Sequence, residues 1–351
     1  MAVSGYAALL RRPAMPEPTP SRPPTTALPL QRRTWLAMAA AALLAACGSG
    51  GGGPAQTFNA TFLQPWKSYE TLPVEEWRRR LQLMRDLGCT EIILQWSALY
   101  GGSFPWVMPE DLIQLLFDEG GRHGMGVRVG LPYDEGWWNA LRSSRAQGLP
   151  DFLARTQARC LETLQTSRWP AQPGFRGWYL PYELDQYNWA TAERQALLVP
   201  WLRNLAEAAR ASYPHQPLAL STFYSTLPTS GRLAQLWAAI LEEAAVRPML
   251  QDGVGVAGLG NYAGLEPLRA LLHERGVAFD LIVELFEQLP PLPNTNNAFR
   301  AKAASSERVA QQMAVARDFG AERIVAFAVD PWLLTSEDDA MTFPYTWGAQ
   351  A

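Results

Sequence analysis

The sequence predicts an α/β fold, a single (β/α)8 TIM barrel, and three observations carry that prediction. Short runs rich in β-branched and aromatic residues alternate with amphipathic stretches along most of the chain. Eight such runs fit within residues 57–347, about 290 residues, the usual size of such a barrel. The helix-like stretches return to the next run through glycine turns, as in Leu87-Gly88-Cys89, His123-Gly124-Met125 and Phe319-Gly320-Ala321. The sequence contains no internal repeat of fixed length.

In order, the predicted strands are Thr57–Leu63, Glu91–Trp96, Gly126–Leu131, Gly177–Glu183, Leu218–Tyr224, Val254–Leu259, Leu281–Glu284 and Ile324–Val329. Helices fill nearly every gap. Val74 to Leu87 places Trp77, Leu81, Met84 and Leu87 three and four residues apart, then stops at Gly88. Pro109 opens the next helix, through Leu112, Leu115 and Leu116, in the first turn, where no amide donor is missed. The others span about residues 151–166, 192–211, 232–245, 265–275 and 305–319. Only Ser336 to Ala351 follow the last strand, so the final helix is expected to be short or absent.

Residues 1–46 lie outside the fold. The first thirty are rich in Pro, Ser and Thr without hydrophobic period, and Met15 offers a second start. Arg32 and Arg33 then precede an apolar core, Trp35 to Leu44, too short to span a bilayer. Leu44-Ala45-Ala46-Cys47 resembles the lipobox of bacterial lipoproteins, which implies cleavage before Cys47 and acylation of its thiol. Arg32-Arg33-Thr34-Trp35-Leu36 also resembles a twin-arginine export signal. Residues 47–56 read as a glycine-rich tether. The expected location is the periplasmic side of the cell envelope, on the outer membrane because Gly48 rather than Asp follows the cysteine.

Removing the signal takes away five arginines and one glutamate, moving the formal net charge from −3 to −7. A mildly acidic exported chain has no electrostatic case for nucleic acid as a partner. Cys89 and Cys160 make no metal-ligand spacing or disulfide framework, and His123, His215 and His273 are far apart, so no metal is expected. Gly253-Val254-Gly255-Val256-Ala257-Gly258 matches the dinucleotide string G-x-G-x-x-G. That fingerprint needs a strand before it and a helix at its end. Here the segment itself reads as the strand, so no cofactor is expected.

Active sites of such barrels lie at the C-terminal ends of the strands. Those ends read Gln64-Pro65-Trp66, Gln95-Trp96, Pro132-Tyr133-Asp134-Glu135, Tyr182-Glu183-Leu184-Asp185, Ser221-Thr222-Phe223-Tyr224, Glu284-Leu285-Phe286-Glu287 and Asp330-Pro331-Trp332. Fourteen tryptophans are several times the usual share, and their gathering at strand ends suggests a cleft that stacks on sugar rings, with Trp66, Trp96 and Trp332 as walls. Glu183 closes the fourth strand and Glu284 the seventh, on facing sides of an eight-stranded barrel. Glycoside hydrolysis needs such a pair, one carboxylic acid to protonate the leaving oxygen and one carboxylate to attack or activate water. Glu183 is expected to be held partly protonated, and Glu284 ionised beside a hydroxyl such as that of Tyr182.

Five strings resemble one family: Thr61-Phe62-Leu63-Gln64-Pro65-Trp66, Ile92-Ile93-Leu94-Gln95-Trp96 after Leu87-Gly88, Gly177-Trp178-Tyr179-Leu180-Pro181-Tyr182-Glu183, Leu250-Gln251-Asp252-Gly253-Val254-Gly255 and Val283-Glu284-Leu285-Phe286-Glu287. Together they look like the bacterial domain-of-unknown-function family 4434, which implies a TIM barrel related to glycoside hydrolases. The wider glycosidase superfamily with glutamates after strands four and seven implies acid/base for Glu183 and nucleophile for Glu284. That superfamily carries Asn just before the strand-four glutamate, where this chain has Tyr182. The sugar site expected around the pair consists of Gln64, Trp66, Gln95, Trp96, Tyr133, Tyr182, Asp185, Tyr224, Asp252, Glu287 and Trp332. Three readings stay open: a lipid-anchored retaining hydrolase of a cell-envelope or exported polysaccharide, a non-catalytic glycan-binding lipoprotein, and an inverting enzyme using Asp134, Asp185, Asp252 or Glu287.

Overall fold

The computed structural model describes residues 58–102, 105–143, 147–290 and 299–334, with the backbone of 341–342. The signal, Cys47, the tether and most of the segment after residue 334 lie outside the described residues. Eight parallel strands close into a barrel: β1 (Ala60–Leu63), β2 (Glu91–Leu94), β3 (Gly126–Gly130), β4 (Phe175–Leu184), β5 (Leu218–Thr222), β6 (Val246–Gln251), β7 (Asp280–Glu284) and β8 (Arg323–Ala328). Each strand pairs with its neighbour in sequence, and β8 returns to β1 through Ala60 opposite Val325 and Thr61 opposite Ala326. This is the predicted (β/α)8 architecture.

Among the described residues, seven helices of eleven residues or more surround it: α1 (Val74–Asp86), α2 (Glu110–Arg122), α3 (Gly148–Thr166), α4 (Ala192–Ser212), α5 (Leu233–Glu243), α6 (Tyr262–Glu274) and α7 (Ser306–Asp318). The apolar spacing predicted for α1 is its core face, since Trp77, Leu81 and Met84 are fully buried. Side chains at i, i+4 and i+7 share one side of a helix. Thr191 and Ser305 cap α4 and α7 by accepting from the Arg194 and Arg308 amides. After β8 only one helical turn follows within the described residues, Val329–Trp332.

The sixth strand corrects the sequence reading. Val254–Ala257 is a short helix, and the strand lies upstream at Val246–Gln251. Arg247 and Pro248 disguised it. Arg247 points into the barrel to pair with Asp280, so a charge stands where a strand pattern leads one to expect an apolar residue. Gly253 makes the turn from strand to helix at φ +65°, where an added Cβ would also meet Asn261 Nδ2 at 2.2 Å.

An ion-pair layer plugs the barrel at the N-terminal ends of its strands. Arg323 reaches Asp280 at 2.6 Å and Glu91 at 2.7 Å, Arg128 reaches Glu91 at 2.8 Å, and Arg247 bonds Asp280 from β6. Burial pushes the Asp280 carboxyl up, but hydrogen bonds from Arg247 and Arg323 outweigh it and hold the group below its ordinary range. The layer closes one end of the barrel, so a ligand enters from the other.

The tryptophans serve the layer outside the barrel. Trp137 packs between Tyr182, Trp189 and Trp201 with ring centroids 5.1–6.3 Å apart, filling the space between β4 and helices α3 and α4. Trp77, Trp137, Trp178, Trp189, Trp237 and Trp332 are fully buried. Two short three-stranded sheets, built from segments that follow β2, β3, β7 and β8, sit over the C-terminal ends of the strands. The sequence reading did not anticipate them.

Candidate active site

At the open end lies a cavity whose space, with the solvent at its mouth, is about 780 Å³. Glu183 and Glu284 both line it, from the ends of β4 and β7. Strand parity explains who else arrives. Side chains alternate between faces, so Glu183 shares the interior face with Tyr179, and Glu284 shares it with Ile282; all four line the cavity. Gln95 follows β2 and Gln251 ends β6 on the same face. Phe62 and Phe327, 5.4 Å apart between ring centroids, form the floor. Phe223 and Tyr224, half-buried on the loop after β5, offer accessible ring faces. Gly264 on α6 makes room for Tyr224, because a Cβ there would lie 2.3 Å from its ring.

Hydrogen bonds fix both carboxyls. The Gln251 amide Nε2 donates to Glu183 Oε1 at 2.8 Å, and the Gly255 backbone N–H donates to Glu284 Oε2 at 2.8 Å. Gly255 must be glycine for that seat: a Cβ would stand 2.6 Å from Phe286 O and 2.9 Å from Glu284 Oε2. Burial pushes Glu183 up to about 7, the Gln251 bond opposing and Asp185 adding to the rise. Burial also raises Glu284, with the charges of Asp252 and Glu183 adding to it, and these outweigh the Gly255 amide. The Tyr182 hydroxyl expected beside Glu284 is not there. Tyr182 is one residue from Glu183 and therefore on the opposite face, where its hydroxyl donates to Pro132 O and accepts from the Asp134 amide.

Of the residues predicted for the sugar site, Gln95 and Tyr224 line the cavity with the two glutamates. The others do not. Trp96 and Trp332 are buried, Trp96 stacked on Tyr133 and Trp332 tilted against Phe286. Trp66 stands edge-on to Trp96, and Gln64 is buried. No tryptophan among the described residues lines the cavity; its rings are phenylalanines and tyrosines. Asp185 is fully buried and bonds the Tyr187 and Asn188 amides, which folds the loop after β4. Glu287 is exposed and faces Lys302 at 3.6 Å.

Asp252 lies beneath the site rather than in it. Its Oδ1 accepts from the Val254 and Glu284 amides, and its Oδ2 from the Tyr262 hydroxyl and the Gln312 amide. It therefore holds the turn that brings Gly255 to Glu284. Tyr179 was missed as a cavity residue; Gln251 and Ser221, named only within a string and a strand end, line the cavity too. The Tyr179 and Ser221 hydroxyls bond each other at 2.7 Å. The G-x-G-x-x-G string does follow a strand and open a helix, so the ground given for discounting it fails. Its central amide nevertheless belongs to Glu284, and Phe286 crowds Gly255, leaving no approach for a pyrophosphate.

A closed parallel barrel with an acidic pair at its open end defines the class, a TIM barrel. The chain belongs to the family described as Domain of unknown function (DUF4434), whose model matches residues 58–339. It is 28% identical over 198 residues to the uncharacterized protein YbcH of Escherichia coli K12, a match covering 55% of this chain and 64% of that protein. In structure it is similar to a protein of Bacteroides thetaiotaomicron named as a candidate alpha-L-fucosidase, with a TM-score of 0.57, 15% identity, and coverage of 82% of this chain and 94% of that one. At that identity the likeness is one of fold. A GH99 endo-alpha-mannosidase of the same organism superposes more loosely, with a TM-score of 0.45 and 12% identity over 78% of this chain and 84% of that one.

Proposed function

We propose that this protein is a glycoside hydrolase that cleaves a cell-envelope or exported polysaccharide with Glu183 and Glu284. The observation that carries the reading is that two buried glutamates from β4 and β7 share one open cavity walled by aromatic rings. Their like charges repel, so near neutral pH the pair holds one proton between them. The reactive form is the one with that proton on Glu183, which gives it to the glycosidic oxygen as the bond to the anomeric carbon breaks. Glu284, its charge steadied by the Gly255 amide, attacks that carbon and forms a glycosyl ester. Water then opens the ester, returning its proton to Glu183, and the anomeric configuration is retained. The half-buried rings of Phe223 and Tyr224 suit the flat C–H faces of a pyranose.

The test is a panel of polysaccharides and aryl glycosides with wild type, Glu183→Ala and Glu284→Ala. Glu183→Ala should keep cleavage of an aryl glycoside whose leaving group needs no proton, lose natural glycan cleavage, and regain rate with azide. Glu284→Ala should lose both, and proton NMR of the first product should show the substrate's own anomer. Glycan cleavage at full rate by both variants would dismiss the pair. Glycan binding without any cleavage by wild type would select the non-catalytic reading.

The reading also places the protein on a membrane. Cys47, acylated after Leu44-Ala45-Ala46, anchors the barrel to the outer membrane through its glycine tether. Cys47→Ser should move the protein from the membrane to the soluble periplasmic fraction. A variant that fractionates like wild type would sink the lipoprotein assignment.

A further inference from the structure

Among the described residues, the cavity wall holds two carboxyls and no Lys, Arg or His. The sequence extends this imbalance. Residues 223–231 and 252–264, which follow β5 and β6, contain no basic residue, while Arg300 and Lys302 after β7 are engaged with the Pro290 carbonyl and with Glu287. The cation beside the site stands outside the wall: Arg308 donates Nη2 to the carbonyls of Glu284 and Phe286, and its charge lowers the Glu284 carboxyl by less than burial raises it. The amide donors are spent. Gln251 Nε2 goes to Glu183, and Asn261 Nδ2 goes to the Asp252 carbonyl. The hydroxyls of Ser221, Tyr224, Ser225 and Thr226 can donate or accept, and the groups that can only accept are still to be matched. Gln95 Oε1 is buried with no protein partner, and each glutamate has one oxygen outside the bonds that hold it. A buried acceptor without a donor is costly, and so is a buried negative charge without a cation.

An ammonium group answers both needs, since it carries three donors, one positive charge and no acceptor. We infer that the cavity takes glycans with free, protonated amino groups, that is, amino sugars without an N-acyl cap, in preference to neutral sugars, and that it excludes uronates. The inference rests on reading the site as carbohydrate-binding and names the substrate class. With one proton shared, the glutamate pair carries one net negative charge, which one ammonium matches. A uronate would bring a second carboxylate into a wall without a cation to receive it. The raised carboxyls agree with a site whose counter-charge comes with the ligand.

The test is calorimetry on Glu183→Ala, which retains the Glu284 carboxylate but lacks the proton donor. The probes are glucosamine and galactosamine oligomers, their N-acetylated counterparts, and oligomers of glucuronate and galacturonate. In at least one series the free amine should bind about tenfold or more tighter than its N-acetyl partner, with no measurable uronate binding. Adding Glu284→Gln should erase the preference. Equal affinity of the amine and N-acetyl forms, binding of a uronate, a preference that survives Glu284→Gln, or no binding by any oligomer would each overturn the inference. The two proposals fail separately. Amine preference without cleavage by wild type removes the hydrolase and leaves the selectivity, whereas cleavage of neutral glycans without amine preference does the reverse.

Discussion

Gln251 offers a direct test of how the site sets its protons. Its amide donates to Glu183 Oε1 at 2.8 Å, a bond that favours the ionised carboxylate against the burial that opposes it. Gln251→Met keeps the length and volume of the side chain but removes the donor. A hydrogen bond to a charged group contributes about 1.5–3 kcal/mol. At about 1.4 kcal/mol per pKa unit, its loss should lift Glu183 from about 7 to about 8–9. The thioether adds no charge, and the lost polarity acts in the same direction. Carbon-13 NMR of glutamate labelled at the side-chain carboxyl measures this without a substrate, the signal being assigned by its disappearance in Glu183→Gln. In an active preparation, the alkaline limb of the pH–rate profile should move up by the same amount, because the proton donor stays loaded to higher pH. A Glu183 titration that stays in place, or moves down, would refute the claim that Gln251 tunes this carboxyl.

Two further outcomes follow from buried charge. Glu183→Gln should stabilise the fold at alkaline pH. The native carboxyl is raised from 4.5 to about 7, so its cost is absent below 4.5, grows between the two values and is complete above 7. At about 1.4 kcal/mol per pKa unit that cost is about 3 kcal/mol; equal melting temperatures for variant and wild type at pH 8.5 would show that the carboxyl is not destabilised by burial. At the closed end, Arg323→Met should lose about 3 kcal/mol, since it strips Glu91 and Asp280 of a shared partner while Asp280 keeps Arg247. Arg203→Met, which breaks an exposed pair with Glu243, should lose under about 1 kcal/mol. Urea unfolding of the two variants side by side decides the matter, and similar losses would mean that the buried layer carries no special weight.

The barrel was legible because its signal is collective: eight runs, seven helix-bearing gaps and glycine returns outvote any one doubtful segment. The sixth strand was the doubtful one, and its disguise has a cause. Barrel strands point alternate residues inward, and this barrel uses its lower inward layer for charge, so Arg247, Arg128, Arg323, Glu91 and Asp280 replace the apolar residues a strand pattern leads one to expect. The same alternation separates the correct site residues from the attractive wrong ones. Counting by twos up β2 from Glu91 reaches Gln95 and passes over Trp96. Counting up β7 from Asp280 reaches Ile282 and Glu284, and up β6 from Arg247 it reaches Gln251 and passes over Asp252. On β4, Tyr179 and Glu183 fall on one face and Tyr182 on the other. Proximity in sequence to a strand-end glutamate was therefore the wrong criterion, and parity with it the right one. The tryptophans misled for a related reason. Large rings at strand ends fill the gap between barrel and helices as readily as they line a cleft, and only the face they occupy distinguishes the two. A charged residue deep in a strand pattern is thus an anchor: it fixes which face is inward, and reading upward from it by twos picks out the residues that meet at the open end.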